Sequence, residues 1–114
     1  MMEDVCLDGV KMAPVSSADV GEISSDTLFT FEQSGSLVTG RYRGGEIIEG
    51  FLIGFVTGSN FHFRYIQADK SGNLDAGMSD AIIEETGDGR IRMIEHFQWA
   101  TRPTSGTNIF EQLN

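Results

Sequence analysis

Residues 37–68 read LVTGRYRGGEIIEGFLIGFVTGSNFHFRYIQA and decide the fold, because three runs rich in β-branched and aromatic residues are separated by short turns. The interruptions are Arg43-Gly44-Gly45-Glu46 and Thr57-Gly58-Ser59-Asn60. Glycine-containing turns of two or three residues between such runs are typical of β-hairpins. This stretch therefore predicts three consecutive antiparallel strands, Leu37–Arg43, Ile47–Val56 and Phe61–Ala68.

The same pattern extends along the chain on both sides of this stretch. Further turn signals occur at 33–36, 70–73 and 87–90, which read QSGS, KSGN and GDGR. No window of about 11 residues keeps the 3.6-residue apolar period of an amphipathic helix, so no substantial helix is predicted. The other predicted strands are Thr27–Glu32, Leu74–Glu85 and Ile91–Ala100, with a first strand near Gly9–Ser16 and a last one near Thr107–Leu113.

Eight antiparallel strands in one open sheet leave two exposed edges, and closure of the sheet removes both. We therefore predict an all-β fold, an eight-stranded antiparallel up-and-down β-barrel, with an open, curled sheet as the alternative. The 114 residues are enough for one domain. We expect residues 9–114 to form this domain and residues 1–8 to be a loose N-terminal leader.

The charge of the chain excludes several classes of partner. Eight Lys and Arg against 17 Asp and Glu give a net charge of −9, which repels nucleic-acid phosphates and anionic lipid. We therefore expect no nucleic-acid partner and no membrane partner. The acidic start, Met1-Met2-Glu3-Asp4, is unlike a secretory signal, and Cys6 is the single cysteine, so a cytoplasmic location is expected. No motif for a metal or a cofactor occurs, so neither is expected.

Side-chain parity predicts which residues face the barrel interior. Residues paired across antiparallel strands share a face, so the inward residues of one strand identify the inward residues of the next strand in the hairpin. We start from Phe29 and Phe31 and take two-residue turns at 34–35, 58–59, 71–72 and 88–89, with a bulged loop at 43–45. The predicted inner face then continues through Val38, Gly40, Tyr42, Ile48, Gly50, Leu52, Gly54, Val56, Phe61, Phe63, Tyr65, Gln67, Ala76, Met78, Asp80, Ile82, Ile91, Met93, Glu95, Phe97 and Trp99.

Two inner glycines are predicted to lie opposite large side chains. The register places Gly54 opposite Phe63 and Gly50 opposite Gln67. A missing side chain provides space in a narrow interior. That space either forms a ligand cavity or allows aromatic side chains to fill the barrel.

Five polar residues fall on this apolar face, namely Tyr42, Tyr65, Gln67, Asp80 and Glu95. Glu95 and Asp80 are diagonal neighbours in this register, and no Arg or Lys shares their face. Buried carboxylates without a cation have raised pKa values, and such groups concentrate at functional sites. Glu95 and Asp80 are therefore candidate catalytic residues. The alternatives are a carboxylate at an open barrel end, or Glu95 bonded to a tyrosine as internal scaffolding.

Three classes of function follow from this interior. The first is a binding module for a small neutral or cationic ligand in the barrel. The second is a small cofactor-independent enzyme of the lyase, isomerase or cyclase type that uses the interior carboxylates as a general acid/base pair. The third is a structural or interaction protein with a solid core. The residues predicted to bind a ligand are Tyr42, Tyr65, Gln67, Glu95, Phe97 and Trp99.

An apolar strip is predicted on the outer surface of the barrel. Phe51, Ile53 and Phe55 alternate with inward residues, and the register places Ile66 opposite Phe51. A contiguous exposed apolar patch usually marks an interface, and two-fold self-association is the commonest way to cover it. We therefore predict a homodimer centred on these residues. If the parity of this strand is reversed, the same side chains fill the barrel instead.

Several segments together resemble a family of small bacterial β-barrel proteins. They are Ser25–Gln33, 40–50, Phe63-Arg64-Tyr65, 88–92 and Gln98-Trp99. The resemblance implies a streptavidin-like or lipocalin-like barrel and no established activity, although members often carry an automatic label of N-acetylglutamate synthase. Acetyl transfer from acetyl-CoA needs a pyrophosphate cradle at a strand-to-helix turn. This sequence offers no such turn, so we do not expect that activity.

Overall fold

A computed structural model describes residues 4–18 and 23–113 and contains eight β-strands within them. Each strand pairs antiparallel with the next, and the first pairs with the last, so the sheet closes into a barrel. The prediction of an all-β, eight-stranded antiparallel up-and-down barrel is therefore confirmed. The described residues contain no helix that is long and apolar enough to cross a membrane. The strands are β1 Lys11–Ser16, β2 Leu28–Ser34, β3 Leu37–Gly44, β4 Ile47–Thr57, β5 Asn60–Asp69, β6 Leu74–Glu85, β7 Ile91–Trp99 and β8 Ser105–Gln112.

Residues 4–8, the described part of the expected leader, lie against the barrel. The backbone N–H of Val5 donates to the carbonyl oxygen of Gly58 over 2.8 Å. The side chain of Leu7 is completely buried, and its N–H donates to Oε1 of Gln33 over 2.8 Å. These contacts attach the segment to the turn between β4 and β5 and to β2. Residues 1–3 lie outside the described part of the chain.

The interior is packed with aromatic and aliphatic side chains from every strand. Gly54 lies opposite Phe63 and Gly50 opposite Gln67, as predicted. A Cβ atom at Gly54 would lie 2.0 Å from the carbonyl oxygen of His62, so only glycine fits there. The buried apolar residues in strands β2 to β5 are Phe29, Phe31, Val38, Tyr42, Ile47, Leu52, Val56, Phe61, Phe63 and Tyr65.

The first hairpin turn and the start of β4 differ from the prediction. The turn lies at 35–36 rather than 34–35, so Phe31 pairs with Gly40, and the parity of β3 is unchanged. Ile48, predicted to face inward, is 57% exposed, whereas Ile47 is 2% exposed. The cause is a β-bulge, because β5 pairs with Ile47 and with Glu49 but leaves Ile48 without a partner. Because of the bulge, Ile47 rather than Ile48 faces the interior at the start of β4.

Strand β6 is inverted relative to the prediction, because the loop before it is longer than two residues. The carboxylate of Asp69 accepts hydrogen bonds from the N–H groups of Ser71 and Asn73 over 3.0 and 2.9 Å. These bonds hold a loop that ends with Ala68 paired to Leu74, one residue away from the predicted register. The inner residues of β6 are therefore Asp75, Gly77, Ser79, Ala81 and Ile83, and the predicted inner residues Ala76, Met78, Asp80 and Ile82 face outward.

In the loop between β6 and β7, the pairing register again differs from the prediction by one residue, a second slip. The N–H of Thr86 donates to the carbonyl oxygen of Arg90 over 2.7 Å, which closes a loop in place of the predicted turn at 88–89. Glu85 consequently pairs with Ile91. The two slips cancel, so the inner residues of β7 follow the prediction: Met93, Glu95, Phe97 and Trp99 are buried, and Ile91 packs against the core.

Candidate ligand site in the barrel interior

The six residues predicted to bind a ligand line one recess in the barrel interior. Strand β3 contributes Tyr42, β5 contributes Tyr65 and Gln67, and β7 contributes Glu95, Phe97 and Trp99. Their convergence follows from parity, because alternate residues of neighbouring strands meet on the inner face. The other residues that line the recess are Ile23, Phe29, Leu52, Phe63 and Asn108. Ligand binding by these residues remains a prediction.

Glu95 is buried within a hydrogen-bond network. The Ser79 hydroxyl donates to Oε2 of Glu95 over 2.5 Å, and the Asn108 amide donates to Oε1 over 3.0 Å. Burial raises the pKa of the Glu95 carboxyl, while the bonds from Ser79 and Asn108 act in the opposite direction. Asn108 is itself fixed, because its Oδ1 accepts from the N–H of Ala18 over 3.0 Å. Both oxygens of Glu95 are thus already engaged.

Asp80 does not belong to this network, so the predicted acid/base pair with Glu95 is wrong. The inversion of β6 places Asp80 on the outer face, where its side chain is 80% exposed and contacts His62. Ser79 occupies the inward position instead. Within residues 4–18 and 23–113, no group of three His, Cys, Asp or Glu side chains could hold a metal ion.

Three buried polar atoms around the recess lack a hydrogen-bond partner among the described residues. They are Oη of Tyr65, Nε2 of Gln67 and Nε1 of Trp99. Gln67 uses its other side-chain atom, because Oε1 accepts from the Tyr42 hydroxyl over 2.9 Å. Burial and the nearby Glu95 carboxylate raise the pKa of both tyrosines well above the ordinary phenol value, so both hydroxyls keep their protons. All three unpaired groups can therefore donate.

Little space remains between these side chains. The recess encloses about 350 Å³ of empty volume including its side open to solvent, but the part wide enough for a water molecule is about 30 Å³. A cavity needs about 10–15 Å³ of such volume to hold one water. The recess therefore has room for about two waters beside the polar groups.

Arg102 lies at the mouth of the barrel next to the recess. Its guanidinium carbon is 4.8 Å from the centre of the Trp99 ring, a cation–π contact. The guanidinium also contacts the carboxylate of Asp75 and lies 3.8 Å from that of Asp69. These contacts hold a positive charge over the aromatic wall.

Sequence reasoning misses Ser79, Asn108 and Arg102. Ser79 is missed because the predicted register of β6 is wrong by one residue. The sequence does contain a signal for the correct register, because the other set of alternating residues in β6 consists mainly of small residues that fit opposite aromatic side chains. A Cβ at Gly77 would lie 2.3 Å from Oη of Tyr65. Arg102 lies in the long connection after β7, and Asn108 lies in the strand that follows it. The residues of this connection do not predict the register of β8, so the sequence does not show which residues of β8 face inward.

The outer apolar strip consists of Phe51, Ile53, Phe55 and Ile66. Their exposed fractions are 47%, 54%, 61% and 44%, and Phe51 pairs with Ile66 as predicted. The alternative that these side chains fill the barrel is therefore excluded. Their role as an interface remains a prediction.

Comparison with known proteins gives one match. The family model of the avidin-like proteins matches residues 5–113. No curated protein and no solved structure matches the chain. Nothing in these comparisons supports the N-acetylglutamate synthase label. The match covers almost the whole length, and it agrees with a closed barrel of eight sequential antiparallel strands. The chain therefore belongs to the avidin-like family.

Proposed function

We propose that the protein is a binding module whose barrel interior takes a small neutral molecule that presents a hydrogen-bond acceptor. The observation that carries this proposal is the convergence of three unpaired buried donors, on Tyr65, Gln67 and Trp99, at one recess among the described residues. A buried polar group without a partner costs about 1–3 kcal/mol, so such groups are rare unless water or a ligand satisfies them. Membership of the avidin-like family supports a small ligand.

The charge of the groups around the recess favours a neutral ligand over a cationic one. The unpaired atoms are hydrogen-bond donors and need an acceptor, whereas a cation brings further donors or a bare positive charge. The carboxylate oxygens of Glu95 already accept from Ser79 and Asn108, so they offer little to a cation. An anion is opposed in turn by the Glu95 carboxylate whenever that group is ionised. A carbonyl, sulfoxide or ether oxygen fits these constraints.

The small volume limits which part of the ligand enters. Space for about two waters accommodates the acceptor group of a ligand but not a whole drug-sized molecule, whose pockets measure about 300–1,000 Å³. The acceptor displaces the waters, and the rest of the ligand occupies the open side of the recess.

The other two functions have less support. The enzyme hypothesis depends on Glu95 and Asp80 acting together, and Asp80 lies on the outer face. A solid barrel agrees with the small volume but does not account for three unpaired donors at one place in the described part of the chain.

Trp99 is the single tryptophan, so its fluorescence reports on the recess directly. We expect small neutral lactams and N-alkyl amides to shift its emission in a saturable way. Gln67→Leu removes one donor, together with the acceptor that the Tyr42 hydroxyl uses, and should weaken binding by at least about three- to tenfold, the equivalent of one hydrogen bond. Gln98→Leu makes the same change at an exposed position of β7, so it is the matched control and should bind like the wild type. Absence of saturable binding across such a set would favour the solid barrel.

A further inference from the structure

A polar pocket lies next to the ligand recess, at the end of the barrel formed by the connections from β3 to β4, from β5 to β6 and from β7 to β8. It has a volume of about 490 Å³, which is much larger than the space left inside the recess. We call it the mouth pocket. It is lined by Glu46, Asp69, Ser71, Asn73, Asp75 and Arg102.

The mouth pocket and the recess adjoin each other through paired residues. Asp75, which lines the mouth pocket, pairs across the sheet with Gln67, which lines the recess. Side chains paired in this way on one face are about 5 Å apart. On the other side, the Arg102 guanidinium of the mouth pocket lies 4.8 Å from the centre of the Trp99 ring. A ligand whose acceptor occupies the recess therefore has its next few atoms beside Asp75.

The Tyr65 hydroxyl lies between the two spaces. Tyr65 is buried, and its Oη is one of the three donors without a partner among the described residues. Gly77, which pairs with Tyr65, leaves room for this hydroxyl, since a Cβ atom there would lie 2.3 Å from it. Burial is the largest cause of the raised pKa of Tyr65, and the Asp75 carboxylate adds to it, so the carboxylate is near the hydroxyl. An unpaired buried donor and a carboxylate therefore face the same ligand.

The carboxylate of Asp75 can accept further hydrogen bonds. Its Oδ1 accepts from the Thr101 hydroxyl over 2.7 Å, and its Oδ2 accepts from the Arg102 guanidinium. An ionised carboxylate has about four lone-pair sites, so roughly half of them remain. Thr101 and Arg102 hold the carboxylate in a fixed position, and the remaining sites are available to a donor on a ligand.

The charges of the mouth pocket favour a neutral donor over an ion. Among the described residues, three carboxylates and one guanidinium line the pocket, so an anion meets like charge. A cation meets the guanidinium of Arg102, which already contacts Asp75 and lies 3.8 Å from Asp69. The same guanidinium covers the ring of Trp99, where a second cation would otherwise bind. A hydroxyl group brings no charge and can donate to the carboxylate.

We propose that the mouth pocket is a second subsite for the ligand and that Asp75 accepts a hydrogen bond there from a hydroxyl or another neutral donor. This inference rests on the proposed function and narrows the class of ligand. The ligand then presents an acceptor at its inner end, which enters the recess, and a donor a few bonds away at its outer end. Asp75 is a binding residue of this subsite, and Thr101 and Arg102 are positioning residues.

The fluorescence of Trp99 in the full chain tests this inference with pyrrolidinones that share the lactam head and differ in the group on nitrogen. We expect the wild type to bind N-hydroxyethyl pyrrolidinone about tenfold more tightly than N-propyl pyrrolidinone, the equivalent of one hydrogen bond to a charged group. The N-methoxyethyl compound has the oxygen without the donor, so it should bind like the N-propyl compound. The N-carboxyethyl compound should bind most weakly, because its charge is opposed by the carboxylates.

Substitution of Asp75 tests the residue itself. Asp75→Ala removes the acceptor and should abolish the preference for the hydroxyethyl over the propyl compound. Asp75→Asn keeps a neutral acceptor and should reduce the preference to about threefold, because a neutral hydrogen bond is about half as strong. The ratio of the two affinities is the readout, since a change in the recess affects both compounds through their common head. Asp80→Ala changes an exposed aspartate on the outer face of β6, so it is the matched control and should keep the tenfold preference.

Four results would overturn this inference and leave the proposed function in place. They are equal affinity of the wild type for the hydroxyethyl and propyl compounds, equal affinity for the hydroxyethyl and methoxyethyl compounds, tightest binding of the carboxyethyl compound, and an unchanged preference in Asp75→Ala. Absence of saturable binding by every compound would overturn the proposed function as well. Circular dichroism checks the fold of each variant, and the comparison of compounds on the wild type needs no variant.

Discussion

Replacement of Ser79 by alanine removes one of the two hydrogen bonds to the Glu95 carboxyl. Ser79 is buried, and its hydroxyl donates to Oε2 of Glu95 over 2.5 Å. Alanine fills nearly the same space, so the change isolates the hydroxyl. Loss of a hydrogen bond to a buried charged group costs about 1–3 kcal/mol. For a domain of this size that corresponds to a fall in Tm of roughly 3–12 °C.

The cost of this substitution depends on pH in a direction that follows from the pKa of Glu95. Burial raises that pKa above its ordinary value of 4.5, so the folded protein holds the proton more tightly than the unfolded chain. The resulting stabilisation is fully present below pH 4.5 and is lost as pH rises through the folded pKa. The bond from Ser79 favours ionised Glu95. Its removal raises the folded pKa further, so the loss of stability is small in acid and grows as Glu95 ionises.

Urea unfolding of the wild type and of Ser79→Ala across a pH series measures this difference, and titrations common to both proteins cancel. Ser105→Ala, which changes an exposed serine of β8, is the matched control and should show no pH-dependent difference. In a Glu95→Gln background the pH dependence of the Ser79→Ala effect should disappear. A destabilisation that is the same across the whole pH series would refute the reasoning, because it would show that the hydroxyl does not interact with the ionised carboxyl.

Three further predictions concern the barrel wall and its interior. Gly54→Ala forces a Cβ against the backbone of β5 and should cost about 1–3 kcal/mol or more, whereas Gly87→Ala, with open space around it, should be tolerated in the same denaturation assay. Ile47→Thr should destabilise the protein by about 1–3 kcal/mol, whereas Ile48→Thr should change the stability little; equal effects would contradict the bulge. Glu95→Gln should reduce the loss of stability that occurs as the pH rises above 4.5. An unchanged dependence of stability on pH would show that the Glu95 carboxyl is exposed to water.

The barrel can be predicted because the sequence features that indicate it, short turns between runs of strand-like composition, are local and recur along the chain. Each hairpin needs a short turn between two runs of suitable composition, and a glycine with positive φ lies in or next to every connection from β2 to β7. At 58–59 the glycine has a φ of 62° and the pairing of Thr57 with Asn60 follows the prediction. Parity then carries the inner face from strand to strand, which is why the inward positions of Tyr65 and Gln67 follow from the sequence.

The failure that inverts β6 occurs where a side chain rather than a glycine determines the turn. At 69–73 the carboxylate of Asp69 accepts bonds from Ser71 and Asn73 and thereby extends the loop. Asn73 also donates to Asp69 from its side chain over 3.1 Å. Composition favours a turn there equally well in either register. An error of one residue in a turn inverts a whole strand, and so the sequence places Asp80 in the interior instead of Ser79.

Under the proposed function, unpaired donors and a nearly filled interior together determine which ligands bind. Three unsatisfied buried groups would cost about 3–9 kcal/mol in total, a large part of the roughly 5–15 kcal/mol that stabilises a typical domain. Two waters in the recess can accept from these donors and offset most of that cost. A ligand must displace the waters, so it gains affinity only if its own acceptor replaces their hydrogen bonds. An apolar molecule of equal size leaves Tyr65, Gln67 and Trp99 unpaired again. The proposed selectivity for acceptor-bearing ligands therefore follows from the cost of desolvating the recess rather than from its shape.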